Sequence, residues 1–167
     1  FCFEWEWGSG MWTCLGFGRG PFHSGLTMDA GPARPDESPA VHAMGHDTWG
    51  GGLDLGAFLD LCQASAKYAG GRWFVIRDEG EAVSSLLVHD FESWNGMVVR
   101  GVGSLATRPD RRREGWAGCL LEHVFAQLVE RERASVVFLY ADIAPGYYAR
   151  RGFQVVDKAP RGADGAV

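Results

Sequence analysis

No apolar run in this sequence approaches the roughly 20 residues that a membrane-spanning helix requires, so no bilayer span is expected. A basic excess is also missing: 16 Lys and Arg stand against 21 Asp and Glu, a formal net charge of −5. Proteins that grip a phosphate backbone need a basic face, so nucleic acid is not an expected partner. Phe1 to Gly10 has no basic n-region and carries Glu4 and Glu6, unlike a secretory leader. Cys2, Cys14, Cys62 and Cys119 form no CxxC pair. Cys62 and Cys119 fall among apolar residues of helical pattern, which reads as buried free thiols and favours a reducing compartment. The expected location is cytoplasmic. In contrast, glycine is abundant, 24 of 167 residues, about twice the usual share. The length suits one domain with a full core.

The first forty residues carry the weakest pattern. Phe1 to Gly25 is rich in Trp, Phe and Gly without a sustained period. Asp29 to Ala40 (DAGPARPDESPA) holds three prolines and reads as a linker. Two readings stay open: an N-terminal extension over 1–45, or a first strand supplied by Met11 to Phe17. The main domain is expected over 46–167.

From Asp47 the pattern sharpens. Asp54 can N-cap a helix bearing Leu55, Phe58, Leu59, Cys62 and Ala66 at helical spacing, ended by Gly70-Gly71. Arg72 to Arg77 and Ala82 to His89 read as a hairpin about Asp78-Glu79-Gly80, and Asn95-Gly96 turns into a strand over Met97 to Thr107. A long helix then places Leu120, Leu121, Val124, Phe125 and Leu128 on one face. Ser135 to Tyr140 reads as a buried strand, Ala144 to Arg151 as a short helix and Phe153 to Val156 as a last strand. The order predicts an α/β (α+β) fold: a mixed central sheet of six to seven strands, an antiparallel meander and flanking helices.

Leu105 to Leu121 (LATRPDRRREGWAGCLL) is the most informative stretch. A strand runs into Pro109, arginines follow, and Gly115, Ala117 and Gly118 open a helix. Free amides and the dipole at a helix start attract anions, and small residues let a diphosphate approach the backbone. Neither the GxGxxG of dinucleotide folds nor the GKS or GKT of nucleoside triphosphatases is present here.

Arg112-Arg113-Glu114-Gly115-Trp116-Ala117 resembles motif A of the GNAT N-acetyltransferase superfamily, whose signature is Arg or Gln, two residues, Gly, one residue, then Gly or Ala. Gly146 to Phe153 (GYYARRGF) resembles the family's motif B, with a tyrosine four residues before Gly-Phe. The likeness covers about Asp47 to Asp157 and is most specific over 105–153. It implies acetyl-CoA as cosubstrate and no metal. The implied cofactor residues are the turn amides of Arg113, Glu114, Gly115, Trp116, Ala117 and Gly118, with the Arg112 side chain alongside. Leu105, Ala106 and Thr107 match the family's strand bulge, whose backbone pairs with the pantetheine arm.

The chemistry implied is attack of an amine on a thioester. A lysine-like amine has a pKa near 10.4, so reaching its neutral form at pH 7 costs about 4.6 kcal/mol. A proton must leave nitrogen, and one must return to sulfur. The resemblance makes Tyr148 the donor to the thiolate. Many relatives carry a basic glutamate on the strand before motif A, but Met97 to Thr107 has no acidic residue. Asp142 is the first candidate for the base, with N-capping of the next helix as its alternative role. Asp90, Glu92, His89 and a water relay follow.

Two other features have readings of their own. His42 and His46 stand at i, i+4, a chelating spacing on a helix. Without an HExxH frame and beside a glycine, they read as surface histidines. Trp49 with Gly50 to Gly52 reads either as a substrate-lining loop or as a linker. Leu139 to Ile143 (LYADI) carries a faint likeness to lysine N6-acetyltransferases. The expected partner is a small-molecule amine, whether amino acid, aminoglycoside or polyamine-like. A protein N-terminus or lysine, a regulatory CoA-binding role without catalysis, and a homodimeric assembly stay open.

Overall fold

The structure, a computed structural model, describes residues 11–14, 29–93, 95–140 and 146–155. In chain order, β1 (Met11–Cys14) and β2 (Asp29–Pro32) precede four short helices. These are α1 (Ser38–Ala43), α2 (His46–Trp49), α3 (Leu55–Ala64) and α4 (Ala66–Ala69). The meander β3 (Arg72–Asp78), β4 (Glu81–Asp90) and β5 (Val99–Thr107) follows, then α5 (Trp116–Ala126) and β6 (Val136–Tyr140). The last described elements are α6 (Gly146–Ala149) and β7 (Gln154–Val155).

The strands form one seven-stranded sheet in the order β2-β3-β4-β5-β6-β1-β7. The β3–β4 turn places Glu79 and Gly80 at φ 51° and 85°, the left-handed pair that suits a two-residue hairpin. Asn95 and Gly96 repeat that device at φ 50° and 76° before β5. β5 and β6 run parallel, which requires a crossover on one face of the sheet. α5 supplies it, burying Leu120, Leu121, Val124 and Phe125 against Phe74, Leu86, Val102 and Val137. Burying each such large side chain contributes about 1.5–3 kcal/mol relative to exposure. On the other face a smaller cluster gathers Val41 and Met44 from the α1 region with Val75, Ala82 and Ala106.

The mixed seven-stranded sheet and its antiparallel meander agree with the expected fold. The linker reading of Asp29 to Ala40 does not hold. β2 pairs with β3 through backbone from Asp29↔Arg77 to Pro32↔Phe74, which asks little of its side chains. Glu37 then forms a bidentate pair with Arg77, at 2.6 and 2.7 Å, and both side chains are less than a tenth exposed. Val41 and Met44 are buried just beyond. Residues 29–45 therefore belong to the sheet and core of the main domain, and a boundary at 45 cuts through it.

Three local expectations also change. β1 is a strand, but it lies between β6 and β7. The helix expected from Asp54 to Ala69 breaks at Ser65, whose extended ψ of 114° and capping hydroxyl start α4 afresh. His42 is buried, not a surface residue: it stacks on Tyr68 at 5.4 Å and meets Trp73 edge-on at 5.5 Å. Asp54 caps α3 as expected, accepting from the Ala57 amide at 3.0 Å. Trp49 and Gly50 belong to α2 and its cap, and the Trp49 ring lies where a Gly45 side chain would project.

Candidate active site

The site begins at the end of the described β5–β6 ladder. The β5–β6 ladder runs from Val99↔Val136 to Val102↔Leu139. Beyond it, among the described residues, Gly103 to Thr107 has β4 on one side and no strand on the other. The β4–β5 register shifts there: Ser85 pairs with Ala106 but Leu87 with Gly103, so β5 carries an extra residue. Ser104 takes φ 47° within this bulge. Ser84 anchors the far end, donating to the Ala106 carbonyl at 2.7 Å and meeting the Thr107 hydroxyl at 3.0 Å. The bulge thus stands at Ser104, just before and beside the Leu105, Ala106 and Thr107 inferred from sequence.

Thr107 leads into a single 3-10 turn, Pro109–Arg111, and then the basic loop. Arg113 at φ 67° and Gly115 at φ 92° bend the chain sharply into α5. Glycine suits the second position because an L side chain is strained there. A Cβ built on Gly115 would meet nothing within 4 Å, so the space above it is open. The first amide bonded back at this end is that of Cys119, to the Gly115 carbonyl at 3.1 Å. Among the described residues, the amides of Arg113, Glu114, Gly115, Trp116, Ala117 and Gly118 have no backbone acceptor. Six unsatisfied donors at a helix N-terminus, carrying about half a positive charge, make a site for an oxyanion.

The arginines divide into two groups. Arg112 forms a two-point pair with Asp47 at 2.6 and 2.8 Å and donates from Nε to the Thr107 carbonyl. It ties α2 to the turn, and its hydrogen bonds first, with its charge, hold the Asp47 carboxyl below the ordinary carboxylate value. Arg111 is bound by Asp78 and Glu114, at 2.7 and 3.0 Å, and lies over the Trp116 ring. Glu114 also accepts from the Trp116 indole at 2.8 Å; that bond first, and Arg111 second, lower its carboxyl. Glu114 and Trp116 side chains thus brace the turn while their amides stay available. Arg113 makes no side-chain hydrogen bond or ion pair among the described residues.

A cleft of about 260 Å3 opens over these amides, lined by Thr107, Arg113, Gly115, Gly118, Tyr147 and Arg151 among others. Arg151 is the residue that sequence reasoning missed. It stacks on the Tyr147 ring with its guanidinium carbon 4.0 Å from the centroid. Its Nη1 donates to the Tyr147 carbonyl at 2.9 Å, and its buried Nε makes no hydrogen bond. A Cβ on Gly118 would fall on this guanidinium, so the small residue makes room for a cation. The signal was the basic pair Arg150-Arg151 ahead of Gly152-Phe153.

Tyr147 and Tyr148 part as adjacent helical residues do. Tyr147 lines the cleft. Tyr148 is 4% exposed in the α5-side core, its ring 5.8 Å from that of Phe153. Asp142 lies outside the described residues. Of the other base candidates, Asp90 is held by Arg72 and Arg100 at 2.7 and 3.0 Å. Glu92 is exposed. Burial, with help from Lys67, lowers the His89 imidazole below its ordinary value, which leaves it neutral at pH 7.

The β5 bulge thus lies beside a turn whose amides have no backbone acceptor among the described residues. A family model described as Acetyltransferase (GNAT) domain matches residues 62–156, more than half of the sequence. The chain belongs to the GNAT acetyltransferase family. Solved structures with the same fold include a GCN5-related N-acetyltransferase from Kribbella flavida, at 20% identity and TM-score 0.54, covering 87% of this chain and 53% of that one. A GCN5-related N-acetyltransferase from Ralstonia eutropha aligns at 19% identity and TM-score 0.59, over 80% and 97% of the two chains. A transcriptional regulator from Bacillus halodurans aligns at 17% and 0.58, over 80% and 97%. The chain thus spans about half the length of the first of these and nearly all of the others. No curated protein matches the sequence. Among the described residues, no helix is long and apolar enough to cross a membrane.

Proposed function

We propose that this protein is an N-acetyltransferase that moves the acetyl group of acetyl-CoA to the primary amine of a small molecule in the cytoplasm. One observation carries the reading: the six amides from Arg113 to Gly118 and the Arg113 side chain have no partner among the described residues, and space opens at Gly115. That donor set and charge fit a diphosphate. Acetyl-CoA would supply the activated acyl thioester. The backbone groups of Leu105, Ala106 and Thr107, with no strand partner on the β6 side among the described residues, would meet the pantetheine arm and donate to the polarised carbonyl.

The acceptor arrives as an ammonium ion and loses one proton before its nitrogen can attack. The new C–N bond forms as the C–S bond breaks, and the electron pair leaves with sulfur. The second nitrogen proton is then released, and the thiolate takes one from Tyr148, which regains it from solvent. Asp142 is the proposed base; His89, held neutral by burial, is the next candidate.

The test is a panel of primary amines incubated with acetyl-CoA and read by release of free CoA thiol. Acetylated product that appears in step with thiol supports the proposal. Tight acetyl-CoA binding without transfer to any amine would leave a regulatory role, as the name of the Bacillus halodurans structure suggests. Failure to bind acetyl-CoA would overturn both readings.

A further inference from the structure

α2 is held in place differently from its neighbours. α1 buries Val41, with Met44 just after it, and α3 buries Phe58 and Cys62, but no residue of α2 is buried. Apolar area therefore does little to fix this segment. Trp49 rests, partly buried, against the Val75, Ala82 and Ala106 cluster. His46 meets the Leu53 carbonyl at 2.7 Å and the Phe58 ring at 5.3 Å, both close along the chain. Gly51 and Gly52, at φ 58° and 85°, follow as a joint. Among the described residues, the side-chain hydrogen bonds of α2 that reach a distant element are those of Asp47 to Arg112, 65 positions on, at 2.6 and 2.8 Å.

The other end of that link is the anion turn. A guanidinium has five N–H donors. In Arg112 two of them hold the Asp47 carboxylate, and Nε–H holds the carbonyl of Thr107, the last residue of β5. Arg112 thus joins three pieces: α2, the end of β5 and the turn itself. The next residue, Arg113, sits at φ 67°, a left-handed conformation that a non-glycine residue keeps only when its surroundings hold it. Arg111, Glu114 and Trp116 brace the turn among themselves. Asp47 braces it from α2. Trp49 closes the ring of contacts through the cluster that contains Ala106, the residue before Thr107.

We propose that Asp47 is a positioning residue for the donor site: it docks α2 onto Arg112, presets the turn for the diphosphate, and so couples the placement of α2 to donor binding. This rests on the anion turn of the reading above. A site ordered before its ligand arrives binds more tightly. The coupling is reciprocal: whatever factor docked α2 adds to donor affinity, the donor adds to the docking of α2. An exposed two-point ion pair sets a modest size for that factor, about three- to fivefold. Charge and position predict opposite signs. Removing an acid near an anion site would, by charge alone, tighten the anion. Loss of positioning loosens it.

Calorimetric titration with CoA, together with hydrogen exchange read by mass spectrometry, tests the assignment. Asp47→Asn should raise the Kd for CoA about three- to fivefold. Asp36→Asn removes the same charge from an exposed residue outside α2 and should bind CoA as the wild type does. In the wild type, CoA should slow exchange at the Thr48, Trp49 and Gly50 amides, which close α2, by a similar factor. In Asp47→Asn that slowing should vanish while the amides of 113–118 are still protected. Asp47→Glu, which keeps the carboxylate, should recover much of both effects. An unchanged or lower Kd in Asp47→Asn would overturn the coupling and leave the anion turn standing. So would α2 exchange indifferent to CoA in a wild type whose turn is protected. No CoA binding and no protection at 113–118 in the wild type would overturn this proposal together with the reading beneath it.

Discussion

Toward α5 the sheet meets its helix in one continuous cluster, where Leu120, Val124, Phe125 and Leu128 are completely buried. Toward α1 the buried apolar set among the described residues is Val41, Met44, Val75, Ala82 and Ala106, and an ion pair, Glu37–Arg77, joins the covering segment to the sheet. The contrast separates two duties. The α5 face holds the fold through area, and the same helix offers its free N-terminal amides to an anion. The α1 face has the smaller apolar set, so polar contacts must hold the segment that area cannot.

The sharpest way to break this comparison is Glu37→Gln. It leaves Arg77 buried with the Pro32 carbonyl at 3.0 Å and, as its remaining carboxylate among the described residues, the exposed Asp29 at 3.2 Å. Breaking one side of a buried pair costs about 3–5 kcal/mol, read as a lower midpoint in urea unfolding. The Arg77 hydrogen bonds hold the Glu37 carboxyl down at about 2 against an ordinary 4.5. A depressed acid contributes stability above its unfolded pKa and loses it as pH falls through the folded one. The difference between wild type and variant should therefore be full above about pH 5 and shrink between 4.5 and 2. A pH-independent difference would show that the pair does not carry the segment.

Next in size, Leu121→Ala should cost about 2–5 kcal/mol by leaving a cavity in the α5 face. Phe91→Ala, on the other face, should stay under about 1 kcal/mol because nearly half of the ring is already in water. Equal losses in denaturant melts would erase the distinction between the faces.

Tyr148→Phe should lower kcat about 10²-fold, the low end for general acid catalysis, with acetyl-CoA affinity nearly unchanged. Tyr147→Phe is the control. If Tyr147→Phe were the crippled enzyme, the acid would be the tyrosine that lines the cleft and the motif register would be off by one. In binding, Gly115→Glu places an acid where the diphosphate is proposed to sit. Acetyl-CoA affinity should fall tenfold or more, over about 1.4 kcal/mol. An unchanged Kd in the folded variant would remove the anion assignment.

The legible parts of the sequence were those in which one local rule acts alone. The β3–β4 hairpin, the Asp54 cap and the apolar face of α5 appear within a few residues of their expected places. β2 was unreadable because DAGP joins the sheet through backbone bonds, and because its neighbour Glu37 is buried by a partner forty positions away. His42 was misread for a related reason: Tyr68 and Trp73, which enclose it, are distant in sequence. At the candidate site the turn was visible as a motif, but the state of its arginines was not. Arg111 and Arg112 bind carboxylates from other elements, and Arg151 arrives from beyond β6 to lie over Gly118.

The place of β1 has a consequence for how the chain assembles. Its neighbours, β6 and β7, lie more than 120 residues further along. During synthesis this strand emerges before β6 and β7 and finds its slot only after both have been made. Loop-closure entropy is paid before such distant pairings return anything, and they slow folding. Until then β1 stays unmatched and, once β6 forms, so does the β6 edge it will cover, the condition under which nascent proteins pair with each other. The slowest folding event of this domain should thus be the closing of the seam that β1 makes with β6 and β7.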